Sequence, residues 1–167
     1  MPVFNIPVSH VGGAIPEDEN VFYDSIKNHG WSNMDGIGLI LKDQAATKVL
    51  KGQLAVHLDG KTPSAAKLII QCAVNSTSTS NMAFYFRYRN VDAAEGADQG
   101  TYQETLSNQT VAGPGTAKQL VQKEISLTHG NFAGEDLMQF EFGIDGANHA
   151  IVADIVVLAA WVAITAS

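Results

Sequence analysis

A single cysteine in 167 residues rules out disulfides within one chain and, with no tight histidine cluster near it, a structural zinc site as well. Cys72 lies in the apolar run LIIQCAV, where a free thiol behaves as a small buried hydrophobe. Cations are scarce: ten Lys and Arg stand against seventeen Asp and Glu, a net charge of -7. A phosphate backbone is held by clustered cations, so no nucleic-acid partner is expected. The opening MPVFNIPVSHVGG has no charged segment followed by a sustained apolar stretch, which predicts a protein made in a cytoplasm without an export signal. Linkers rich in proline and serine, internal repeats and heptads are also missing, so one domain is expected.

Catalytic and metal-binding patterns are missing too. His10, His29, His57, His129 and His149 are spread along the chain, with no pair at the i, i+2 or i, i+4 spacing that sets two imidazoles around a metal. Asp92, Glu95 and Asp98 lack the dense alternation of a calcium loop. GPGTAK is not a phosphate loop, because Lys118 is not directly preceded by glycine and no Ser or Thr follows it. No nucleophile elbow occurs. The expectation is a protein with no catalytic residues, no cofactor and no metal.

What the sequence does have is alternation. Leu54, Val56 and Leu58 share one face of a strand, as do Leu68, Ile70, Cys72 and Val74. Phe84, Phe86 and Tyr88 alternate with Tyr85, Arg87 and Arg89; Val121, Ile125 and Leu127 alternate with Gln122, Glu124 and Ser126. Met138, Phe140, Phe142 and Ile144 point inward, with Gln139 and Glu141 outward. These are half-buried antiparallel strands. FRYR, residues 86–89, interleaves aromatic and basic residues and is read as a core face backed by a solvated face rather than a base-stacking platform. Shorter strands are expected at VFYDSIK, GIGLILK and TYQETLS, giving about eight or more strands, the number of a closed or two-sheet β-architecture. A turn or two of helix is expected within KDQAATKVLKG. The fold class predicted is an all-β antiparallel sandwich of jelly-roll form over residues 21–167, preceded by an extended, proline-bearing arm over residues 1–20.

The closing run AIVADIVVLAAWVAI is too short, holds Asp154 and lacks flanking Lys or Arg, so it is not expected to span a membrane. Its β-branched density predicts a long strand bent near Ala159–Ala160. A strand apolar on both faces needs cover on the second one. Another copy of the chain is the expected cover, with Val156, Leu158, Trp161 and Ile164 at the interface; the alternative is cover by long loops or the N-terminal segment of the same chain. Val3, Phe4 and Ile6 of the arm are expected to order against a neighbouring protein.

The longest irregular stretch is NVDAAEGADQGTYQETLSNQTVAGPGTAK, and long loops in compact domains tend to be functional. Within it Tyr102 is the candidate stacking platform for a receptor or glycan, with Asp98, Gln103 and Asn108 as hydrogen-bonding groups.

An irregular arm, alternating strands such as MAFYFRYRN and LMQFEFGID, and an apolar last strand together resemble the small jelly-roll proteins that decorate or cement tailed-bacteriophage capsids. That resemblance implies a virion structural protein made in the host cytoplasm, a homotrimer that clamps adjacent subunits of the major capsid protein without catalysis. The same outline resembles trimeric jelly rolls of the C1q and tumour-necrosis-factor type and the heads of phage fibres, which imply receptor or glycan recognition through loops.

Overall fold

The computed structural model describes residues 1–8, 15–16, 19–33, 35–92, 101–134 and 137–167. Eleven strands are found among them: β1 (Val3–Pro7), β2 (Ile15–Pro16), β3 (Val21–Ser25), β4 (Ile37–Leu41), β5 (Lys48–Ala55), β6 (Pro63–Val74), β7 (Asn81–Val91), β8 (Glu104–Ala112), β9 (Val121–Leu127), β10 (Leu137–Ile144) and β11 (Ile155–Ala166). Helix is confined to 3-10 turns at Ile26–His29 and His129–Phe132. No helix of the described residues is long and apolar enough to cross a membrane. The helical turn expected in KDQAATKVLKG is corrected: Lys48–Ala55 is a strand, because Val49 and Leu50 find burial in a sheet.

One sheet runs β3-β4-β11-β6-β9, with β1 also on β11; the other runs β2-β5-β10-β7-β8. Counted from β4 to β11, the first sheet has the order first, eighth, third, sixth and the second has second, seventh, fourth, fifth. That is the jelly roll, an antiparallel sandwich in which strands β4 to β11 alternate between sheets except for the paired β7 and β8. The inward residues read from the alternation meet between the sheets. Phe84, Phe86 and Tyr88 of β7 and Phe140 and Phe142 of β10 lie against Leu68, Ile70 and Cys72 of β6. Phe84 stacks on Phe142 at 6.4 Å between ring centroids, and Tyr88 on Phe132 at 5.1 Å. Burial pushes the Cys72 thiol up to about 12, so it stays protonated and inert.

The expected arm is, over Val3–Pro7, a strand of the sandwich. β1 pairs antiparallel with β11, Val3 opposite Thr165 and Ile6 opposite Val162. Ile6 is buried and Phe4 packs on the core, while Val3 is exposed. Phe4, Ile6 and Val8 are an inward period-two set that the prolines at 2 and 7 hide; an edge strand tolerates proline because one side of its backbone makes no ladder. Ile15–Pro16 then pairs with β5, so the N-terminal segment is held by both sheets.

β11 lies at the centre of the first sheet, which explains its length and apolarity. It carries a register irregularity between Val157 and Ala159, where the bend is expected, and that irregularity shifts the face each later side chain takes. Ile155 and Val157 point to the core before it, Ala160, Val162 and Ile164 after it. The second face is covered by the chain's own β3–β4 connection. Ile26 and Trp31 pack with Ile40, Ala73 and Val156 in a separate buried cluster, flanked by Phe22 and Leu158. The connection is anchored by His29, whose Nε2 lies 3.1 Å from Asp24 and Nδ1 3.5 Å from Asp154, and by Lys118, which donates to the Gly30 carbonyl and lies 5.9 Å from the Trp31 ring centroid. Gly38 makes room, since a Cβ there would meet the Val156 methyl at 2.8 Å. The expected interface is therefore corrected at two positions: Val156 and Ile164 are fully buried within one chain, one under the β3–β4 connection and one in the main core. Leu158 and Trp161 keep partial exposure.

Between β10 and β11 the His149 side chain is wholly buried, 3.9 Å from Asp43. Its Nδ1 lies 3.4 Å from the Ala83 amide, and its Nε2 has no hydrogen bond. Burial holds its pKa below the ordinary imidazole value. As pH falls below about 6.5 the unfolded chain takes up a proton that the folded chain refuses, so stability declines on that side by at most about 1.4 kcal/mol per pH unit until the folded pKa is passed. His149→Gln is expected to flatten the denaturation-midpoint profile between pH 5 and 7; an unchanged slope would mean that other groups set it.

Candidate binding face

The outer face of the second sheet is polar, and its middle is ordered by register. Glu141 of β10 sits opposite Arg87 of β7 on one side and Lys51 of β5 on the other; Gln139 likewise sits between Arg89 and Gln53. Alternation turns Phe140, Phe142, Phe86 and Tyr88 inward, which forces Glu141, Arg87 and Arg89 outward.

Arg87 grips Glu141 with two parallel bonds, Nε to Oε2 at 2.7 Å and Nη2 to Oε1 at 2.8 Å. Tyr102, from the segment entering edge strand β8, reaches across β7 and donates its hydroxyl to Glu141 Oε1 at 2.7 Å. Its ring lies on the guanidinium of Arg87, 4.1 Å from centroid to Cζ, with Arg89 at 5.7 Å. Tyr85 borders Arg87 on the other side at 6.0 Å. Arg89 donates from Nε to Gln139 at 2.5 Å. Covered by Tyr102 and Arg87, the Glu141 side chain keeps only 4% exposure although it points outward.

Burial alone would raise the Glu141 pKa, but the bonds from Arg87 and Tyr102 and the nearby cations bring it below the ordinary carboxylate value. The phenols of Tyr102 and Tyr85 are pushed up, first by burial and then by neighbours that include Glu141. The bond to Glu141 raises Arg87 further. At neutral pH the face thus presents a fixed carboxylate, fixed guanidinium groups and neutral tyrosines.

Of the loop residues expected to recognise a ligand, Tyr102 is on this face and the others are elsewhere. Gln103 serves the fold: its Oε1 accepts from the Asn90 amide at 2.8 Å and its own amide donates to the Tyr88 carbonyl at 3.0 Å. Asn108 sits at the irregularity in the β7–β8 register with φ of 54°, its amide donating to buried Asp145 at 2.6 Å. That left-handed backbone suits asparagine, and the residue shapes the strand edge some way from Tyr102. Asp98 lies outside the described residues. The stretch that contains them is also more ordered than its composition suggests, since residues Glu104–Ala112 form β8 at the sheet edge. Glu104 accepts from the Tyr88 hydroxyl at 2.6 Å and the Thr128 amide at 3.0 Å, which fixes the segment that carries Tyr102.

Arg87, Arg89, Tyr85 and Glu141 were missed as site residues by sequence reasoning. The alternation in FRYR and QFEF turns them outward, but nothing in one sequence says that β7 lies beside β10. Among the described residues no group of three or more His, Cys, Asp or Glu is placed to hold a metal.

No protein-family model and no curated protein matches the chain. Solved structures do. The K1 cleaved adhesin domain of Lys-gingipain from Porphyromonas gingivalis W83 superposes with a TM-score of 0.54 at 13% identity, over 100% of this chain and 99% of that one. The CBM22-1 and GH10 modules of endo-1,4-beta-D-xylanase 10B from Clostridium thermocellum, complexed with xylohexaose, superpose with a TM-score of 0.52 at 11% identity; the match spans 95% of this chain but 28% of that one. At such identities the likeness is one of fold, and it agrees with the all-β sandwich described above.

Proposed function

We propose that this chain is a non-catalytic glycan-binding module and that the outer face of the β2-β5-β10-β7-β8 sheet is its binding surface. The observation that carries this reading is the Tyr102 ring, fixed at its hydroxyl by Glu141 and along its face by Arg87, on a surface of planar hydrogen-bonding groups. A sugar offers a patch of C–H groups to an aromatic ring and adjacent hydroxyls to hydrogen-bonding donors and acceptors; Arg87, Arg89 and Gln139 supply those around Tyr102. Because the parts are already locked together, little ordering entropy is lost on binding. Glu141 holds its charge and its lone pairs in structural bonds, so its role is an anchor rather than a proton carrier. Support of a general kind comes from neighbours of the same fold, an adhesin domain and a xylanase structure with xylohexaose bound.

The capsid-cement reading drew on a second apolar face of β11 that awaited a partner. The cover that Ile26 and Trp31 give that face within the chain removes its main motive, leaving Leu158 and Trp161 as candidates for any self-association. The fibre-head alternative, recognition of a glycan, is the one the site favours.

The test is a glycan panel followed by calorimetry with whichever oligosaccharide binds. Tyr102→Ala is expected to weaken binding at least about tenfold, the loss of about 1.4 kcal/mol or more expected for a stacked ring. Tyr102→Phe, which keeps the ring and loses the bond to Glu141, should retain most of the affinity. Tyr102→Ala that is folded and binds like the parent would remove this face from the reading.

A further inference from the structure

Resting on that reading, we infer that the ligand of this face is an acidic sugar chain, one bearing carboxylate or sulfate groups, and that Arg89 is the residue that receives the anion. Charge on the face is unbalanced. Glu141 is fully engaged by the two bonds of Arg87 and the hydroxyl of Tyr102, so its charge is spent on Arg87. Among the described residues Arg89 has no such counter-charge. Its contacts among the described residues are with neutral groups, the Gln139 amide oxygen through Nε and the Tyr102 ring. Among the described residues no carboxylate stands against the formal positive charge of its terminal Nη nitrogens, in a chain whose net charge is -7.

The geometry favours a planar or tripodal anion over a lone hydroxyl. The bond to Gln139 holds the guanidinium by one edge and Tyr102 flanks it, so its orientation is set while its remaining N–H groups have no partner among the described residues. A fixed fork of parallel donors is the arrangement that takes carboxylate, sulfate or phosphate oxygens two at a time. Tyr102 lies between Arg87 and Arg89, so a ring stacked there would have its substituents within reach of the second guanidinium. Arg87 keeps N–H groups of its own, but its charge is already met by Glu141, so an anion gains less there than at Arg89.

The experiment compares neutral and acidic oligosaccharides on the full chain: xylohexaose and cellohexaose, an oligogalacturonate as the carboxylate arm, and a heparin-derived hexasaccharide as the sulfate arm. The expected result is at least about tenfold tighter binding to one or both acidic ligands, weakening as sodium chloride is raised, since exposed ion pairs are screened. Arg89→Gln should collapse the ratio of acidic to neutral affinity towards one, and Arg89→Lys should restore it in part, because charge returns without the fork. Should Arg89→Gln fail to fold, the salt dependence of the parent chain decides. Binding of neutral sugars as tightly as acidic ones, or an acidic preference that Arg89→Gln leaves intact, overturns this inference and leaves the glycan-binding reading standing. Binding to none of the ligands overturns both.

Discussion

Val156→Asp is expected to unfold the chain rather than separate copies of it. Val156 has no exposed surface and lies among the apolar side chains of Ile26, Trp31, Ile40 and Ala73. Burying an unpaired charge there, and losing the packed isopropyl group, should cost at least about 4 kcal/mol, a large part of the stability of a domain this size. A thermal melt followed by circular dichroism checks it, with sedimentation run alongside. The control is Trp161→Asp, on the outer face of the same strand where partial exposure lets a carboxylate stay wet; its expected cost is about 1–2 kcal/mol. A Val156→Asp protein that melts like the parent but sediments as a smaller species would return this residue to a subunit interface.

Glu141→Ala is expected to damage stability and binding together. The substitution releases the Arg87 guanidinium on which the Tyr102 ring lies and removes the acceptor of the Tyr102 hydroxyl, so the ring loses both of its holds together. Removing one partner of a buried ion pair costs about 3–5 kcal/mol; with the Arg87 side chain one-third exposed, water recovers part of that and a loss of about 2–3 kcal/mol is expected. Glycan affinity should fall by at least the factor seen for Tyr102→Ala, because the aromatic platform and the guanidinium are freed at once. The pair also has a pH signature. With its folded pKa below the unfolded one, Glu141 contributes stability that is complete above the ordinary carboxylate range and fades as pH falls through that range towards the folded value. Urea midpoints measured from pH 6 down to pH 3 should therefore fall less steeply in Glu141→Ala than in the parent. An equal slope would show that other carboxylates govern the acid limb.

The sandwich was legible in the sequence because alternation is a local signal. Met138, Phe140, Phe142 and Ile144 had to share a face, and the structure buries all four. Two kinds of information were not local. Edge strand β1 carries proline, which disguises the Phe4, Ile6, Val8 set and makes a strand look like an arm. The faces of β11 depend on one register irregularity near Ala159, which sends Ile164 to the core where an uninterrupted strand would align it with Val156 and Leu158. The candidate site was half visible for the same reason. Tyr102 was singled out as an aromatic in a polar stretch, but its partners come from β7 and β10, and only pairing brings Arg87 to Glu141 across 54 residues of chain.

The central place of β11 sets a condition on how the protein is made. In the first sheet β4 and β6 share no edge; each borders β11, and β1 pairs with β11 as well. β11 follows every other described strand in chain order, so a nascent chain holds β1, β4 and β6 before the strand that joins them, while β5, β7 and β8 of the other sheet are already out and wait for β10. Completion of the first sheet must therefore await β11, and its pairing with β1 and β4 joins strands far apart in sequence, the kind of long-range closure that slows folding. Until then β6 has β9 on one side only, and its open edge towards β11, beside Leu68, Ile70 and Cys72, is the segment most in need of protection from other chains.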